Sequence, residues 1–142
     1  MRILFIDDDH RRMKLYVEDL VRNGHEVVFE ENVDQALATF RSRDDFDLVV
    51  LDISMDSGTE YKFEDTGGGT RTGLPLYDTI RRERPDLKIV VLTNVPTLRL
   101  ASHFERDSDR LWRLVHKPDV LPRQFTSFIG EFVTGNNGEE AS

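Results

Sequence analysis

The chain has 142 residues, 19 of them basic and 27 acidic, for a formal net charge of -8, and it contains no cysteine. That length buries a substantial core in one domain without disulfides or a structural metal, and the lack of cysteine excludes thiol chemistry. The acidic balance has no Lys/Arg block to track a phosphate backbone, and no long apolar run or leader precedes the first strand, so neither direct nucleic-acid binding nor membrane insertion is expected and the cytoplasm is the expected compartment.

In chain order, "RILFI" (2–6) reads as a strand, followed by a helix in "HRRMKLYVEDLVRNG" (10–24), where Met13, Val17, Leu20 and Val21 recur at helical spacing and Gly24 supplies the stop. Asp9 sits where a short acceptor caps the first turn. "HEVVFE" (25–30) is the second strand and "VDQALATFRSR" (33–43) the second helix. A third strand fits "DLVVL" (47–51), a helix 75–84, and a fourth strand "LKIVVL" (87–92). The periodicity then predicts a helix over 96–105, a strand "LWRLVH" (111–116) and a helix over 122–133. The remainder, "TGNNGEEAS" (134–142), is poor in apolar residues and reads as a flexible tail.

Five largely unbroken aliphatic strands, each followed by a helix, require a parallel sheet covered on both faces. The expected fold is a three-layer, doubly wound (βα)5 sandwich of the flavodoxin-like type. In such sheets ligands bind beyond the carboxyl ends of the strands. Here those ends carry Asp7 and Asp8 (strand one), Asp52 (strand three), Thr93 (strand four) and Lys117 (strand five), while strand two offers no matching group. With strand two at an edge, as in the order 2-1-3-4-5, the other four ends meet in one crevice. Crowded carboxylates repel one another unless a cation neutralises them, and Mg2+, a hard cation, takes oxygen ligands from groups such as Asp7, Asp8 and Asp52 while polarising a phosphoryl group.

This ordered set resembles the receiver domain of two-component response regulators over residues 2–133. The resemblance implies a CheY-like, stand-alone receiver (1–133) that is a signalling domain rather than an enzyme in the ordinary sense, capable at most of its own phosphorylation and dephosphorylation. Asp52 would accept phosphate from a sensor histidine kinase or phosphotransfer protein. Asp7, Asp8, Asp52 and the Ser54 backbone carbonyl would hold Mg2+, Thr93 would bond a phosphoryl oxygen, and Lys117 would pair with the acyl phosphate. A cis bond before Pro118 is also implied. A downstream protein would dock on the face of helix four, strand five and helix five, with Leu98, Leu100, Phe104 and Trp112 as candidate residues, and a homodimer is a further implied state.

Several positions depart from the family pattern. Asp56 follows Met55 where a proline is usual, and the glycine that opens helix three falls at Gly73, twenty-one positions after Asp52, implying a loop insertion at about 56–72. Within it, "GGGTRTG" (67–73) lacks the Gly-Lys-Ser/Thr ending of a P-loop and reads as a mobile loop. Leu114 replaces the usual aromatic readout residue, and Asn94 replaces a small residue after Thr93. These departures permit a pseudo-receiver that binds partners without phosphorylation. A haloacid-dehalogenase-like phosphatase, with Asp7 as nucleophile and Asp9 as acid/base, is the other alternative, but it leaves Asp52 unexplained. His10, His25, His103 and His116 lack metal-ligand spacing and read as structural.

Overall fold

Strands as aliphatic as "LVVL" and "KIVVLT" cannot leave either face in water, and the chain covers both. The computed structural model describes residues 1–55 and 71–135. Its strands are β1 (Arg2–Ile6), β2 (Glu26–Glu30), β3 (Leu48–Leu51), β4 (Lys88–Thr93) and β5 (Trp112–His116), all parallel, in the order β2-β1-β3-β4-β5. The helices are α1 (His10–Arg22), α2 (Val33–Ser42), α3 (Gly73–Glu83), α4 (Ala101–Phe104) and α5 (Pro122–Thr134). The expected flavodoxin-like topology is the one observed.

Alternation along the strands divides the core into two layers. Ile3, Phe5, Leu48, Val50, Val90 and Leu92 pack with Met13 and Leu20 of α1 and Phe125, Ile129 and Phe132 of α5. Their neighbours Leu4, Ile6, Val49, Leu51, Ile89 and Val91 pack with residues of α2, α3 and α4, among them Phe40, Leu76, Ile80 and Phe104.

Local chemistry sets most boundaries. The Asp9 side chain accepts the Arg12 N–H at 3.1 Å and Asn32 accepts that of Gln35 at 2.8 Å, so both helices begin on side-chain caps. Gly24, at φ 90°, turns the chain out of α1. The predicted helix over 96–105 is corrected: it breaks into a single 3-10 turn (Thr97–Arg99) and the four residues of α4. Leu100 and Phe104, four apart, bury one side, whereas Leu98 is 94% exposed, so burial rewards only one turn. Helix three opens at Gly73, as the family resemblance implies, two residues before the start that periodicity gives. The Lys117–Pro118 bond is trans, not cis; Pro118 sits at the start of a 3-10 turn (Lys117–Asp119), where its fixed φ fits and its missing N–H is not needed. Most of the insertion, 56–70, and the end of the tail, 136–142, lie outside the described residues. Thr72 is buried, its hydroxyl donating to the Met55 carbonyl. No helix among the described residues is long and apolar enough to cross a membrane.

Candidate functional site

Parallel register brings the strand ends together. The Asp52 N–H donates to the Ile6 carbonyl at 2.9 Å and the Asp7 N–H to the Glu30 carbonyl at 3.1 Å, so each carboxylate leaves its strand at the same rim of the sheet. Asp7, Asp8 and Asp52 can each offer an oxygen such that all three lie within 4.8 Å of one another. Asp7 and Asp52 are buried, and Asp8 is exposed.

The Lys117 ammonium enters this cluster from beyond β5, 2.8 Å from Asp7 Oδ2 and 3.4 Å from Asp52 Oδ2. It also donates a hydrogen bond to Asp52. Towards Asp7 the contact is a close, buried ion pair. Asp52 Oδ1 accepts the Ile53 N–H at 2.8 Å and the Ser54 N–H at 3.4 Å, and Asp7 Oδ1 accepts the Asp9 N–H at 2.9 Å.

Burial, then the charge of Asp52, pushes the Asp7 pKa up to about 6 against the pull of Lys117. The Asp8 pKa is raised by the same two causes. Burial of Lys117 favours the neutral amine, but the charges of Asp52 and Asp7 outweigh it and raise its pKa. Among the described residues, one ammonium facing three carboxylates leaves an excess of negative charge. Together with an all-oxygen donor set, that fits a hard divalent cation.

Thr93, fully buried, closes β4, and its Oγ1 accepts the Val95 N–H at 3.1 Å. No hydrogen bond joins it to Asp52 among the described residues. Gly73 is pressed against the site loop: its N–H donates to the Ile53 carbonyl at 2.8 Å, and a Cβ there would lie 2.5 Å from the Asp52 carbonyl oxygen. Asp9, needed as acid/base in the phosphatase alternative, is engaged in capping α1 and pairs with Arg12 at 3.2 Å. The structure thus gathers Asp7, Asp8, Asp52 and Lys117, with Thr93 at the adjoining strand end. The sequence carried no signal for the Ile53 and Ser54 amides that hold Asp52, because every residue has such an amide. His116, read as structural, bridges two site loops, and the Thr93–His116 register could have drawn attention to it.

A family model described as "Response regulator receiver domain" matches residues 3–106. Among solved structures, a CheY-like response regulator receiver domain protein from Methanospirillum hungatei is similar at a TM-score of 0.73 and 23% identity, covering 97% of each chain. The response regulator protein TrrA from Thermotoga maritima, solved in complex with Mg(2+)-BeF, is similar at a TM-score of 0.70 and 27% identity, covering 92% of this chain and 97% of that one. An orphan response regulator of H. pylori aligns at a TM-score of 0.71 and 17% identity, covering 94% and 96%. The curated proteins contain no significant sequence match.

Proposed function

Because the chain belongs to the response regulator receiver domain family of two-component signalling, we propose that Asp52 is its phosphoacceptor and that Asp7, Asp8, Asp52 and the Ser54 carbonyl hold Mg2+. The observation that carries this reading is the buried Asp52 carboxylate, placed between the Lys117 ammonium and a carboxylate cluster suited to a cation. The metal-bound TrrA relative lends support for the cation.

In the proposed reaction an Asp52 oxygen attacks the phosphorus of a phosphohistidine on a sensor kinase or phosphotransfer protein. A P–O bond forms, the P–N bond breaks, and the departing imidazole nitrogen keeps the bonding pair and takes a proton from solvent. The Ile53 and Ser54 amides orient the attacking carboxylate, and Lys117 faces the oxygen-rich product. Bound Mg2+ supplies neutralising charge for the carboxylates and the phosphoryl oxygens. As the P–O bond forms, the Thr93 hydroxyl turns to a phosphoryl oxygen.

We place the receiver domain at 1–133 with an insertion at 56–72, and its action in the cytoplasm. The downstream contact falls on the α4, β5 and α5 face, where exposed Leu98 adjoins Ala101, Trp112 and Leu114, whereas Leu100 and Phe104, also expected there, are buried in the core and take no part. A homodimer is a further state in this reading.

The test is labelling by a small phosphodonor with and without Mg2+, comparing wild type, Asp52→Asn and Asp7→Asn. A Mg2+-dependent, hydroxylamine-labile label that is lost in Asp52→Asn is expected. Label that persists there but disappears in Asp7→Asn would move the nucleophile to β1. No label with any donor would leave a phosphorylation-independent binding module.

A further inference from the structure

Thr93 ends β4 and Lys117 follows the end of the adjacent β5, and a histidine links their loops. In the β4–β5 ladder Thr93 pairs with His116, the last residue of β5 and the one before Lys117. The His116 Nε2 lies 3.1 Å from the Asn94 carbonyl, and its Nδ1 lies 3.5 Å from the Asp119 carboxylate. A carbonyl oxygen only accepts, so this contact is a hydrogen bond when Nε2 carries the proton, in the Nε2–H tautomer and in the cation, whose Nδ1–H also suits the Asp119 carboxylate.

The Asn94 carbonyl and the Val95 N–H belong to one planar peptide unit. Its oxygen edge accepts from His116, and its N–H edge donates to Thr93 Oγ1 at 3.1 Å. The unit is therefore held on both sides, and each bond polarises the amide in the sense that strengthens the other. Thr93 cannot carry its hydroxyl towards Asp52 with the turn unmoved while that hydroxyl anchors Val95.

We infer that His116 is a positioning residue that clamps the Asn94–Val95 peptide and thereby holds the Thr93 turn in its resting place. It sets how readily Thr93 leaves its own loop for a phosphoryl group, and in that respect the inference rests on the phosphoacceptor reading of Asp52. Such a clamp opposes switching, so its removal speeds phosphorylation by small donors.

Three measurements on the full chain test this. Nitrogen NMR of the wild type is expected to find the His116 proton on Nε2 at neutral pH; a proton on Nδ1 alone would overturn the clamp. In His116→Ala the Val95 amide is expected to exchange with solvent about two- to tenfold faster, the range one net hydrogen bond spans. His116→Gln, whose side-chain amide still donates from a similar position, should restore wild-type exchange. Labelling by acetyl phosphate should accelerate in His116→Ala by a similar factor and return to the wild-type rate in His116→Gln. Unchanged Val95 exchange in His116→Ala would overturn the inference, as would a wild-type labelling rate in a protein that labels normally at Asp52. A wild type that takes no label, while its Val95 exchange responds as expected, would instead overturn the phosphoacceptor reading and leave the clamp standing.

Discussion

At the scale of single residues, the three carboxylates differ in what removing each would do. Asp7 is buried against Lys117, and Asp52 is bound by two amides as well as Lys117, so truncating either leaves partners unsatisfied. Asp8 is exposed, and its raised pKa comes from partial burial and from repulsion by Asp52. Asp8→Asn therefore removes a repelling charge at little packing cost. The metal-free protein is expected to gain up to about 1 kcal/mol, the scale of an exposed charge interaction. The same substitution should blunt the rise in Tm that Mg2+ produces by binding the folded state. Thermal unfolding in EDTA and in Mg2+ checks both, and an undiminished Mg2+ response would remove Asp8 from the donor set.

Elements act through where their ends are fastened. Helix α3 is fixed at its start by the Gly73 N–H on the Ile53 carbonyl, and just past its end by Arg84, which donates to the carbonyls of Phe40 and Arg43 with its guanidinium 4.0 Å over the Phe40 ring. In its last turn, Arg81 pairs with Asp107 at 2.7 Å and reaches the Leu111 carbonyl at 3.0 Å, tying α3 to the approach of β5. A methyl group at position 73 would meet backbone, 2.5 Å from both the Asp52 oxygen and the Ile53 Cα, and backbone yields only by moving the loop that carries Asp52. Gly73→Ala is expected to cost about 1–3 kcal/mol, the usual scale of overpacking, and to weaken Mg2+ binding with it. Urea unfolding and Mg2+ titration measure the two effects, and a neutral substitution would show that the loop gives way freely.

For the whole molecule, one sheet serves two cores. Phe125 lies fully buried in the layer with α1 and α5, and Phe104 in the layer with α2, α3 and α4. Because both layers share the strands, neither survives loss of the other. Phe125→Ala and Phe104→Ala are each expected to cost about 3–5 kcal/mol and to retain a single unfolding transition. Far-ultraviolet circular dichroism and the fluorescence of Trp112, which packs against the second layer, should report one midpoint. Separate midpoints would mean that the layers unfold independently.

The sequence alone determined the alternation of strands and helices, the parallel sheet and the strand-end positions of Asp7, Asp8, Asp52, Thr93 and Lys117. These follow from local periodicity and from the rule that a doubly wound sheet presents its carboxyl ends as one rim. It also located Gly73 as the start of helix three, although the expected helix began at Pro75. The tertiary structure decided what depends on contacts between distant positions. The length of α4 was set by which of its apolar residues found a core, and Leu98 found none. The trans bond before Pro118 went with a helical turn that the Lys-Pro pair does not specify. The ion pairs of Lys117 with Asp7 and Asp52, the seat of Gly73 on the Asp52 loop and the reach of His116 to Asn94 span from about twenty to more than a hundred residues, and no local pattern encodes them. Periodicity fixes which face a residue takes, whereas distances between faces are settled only when the layers close.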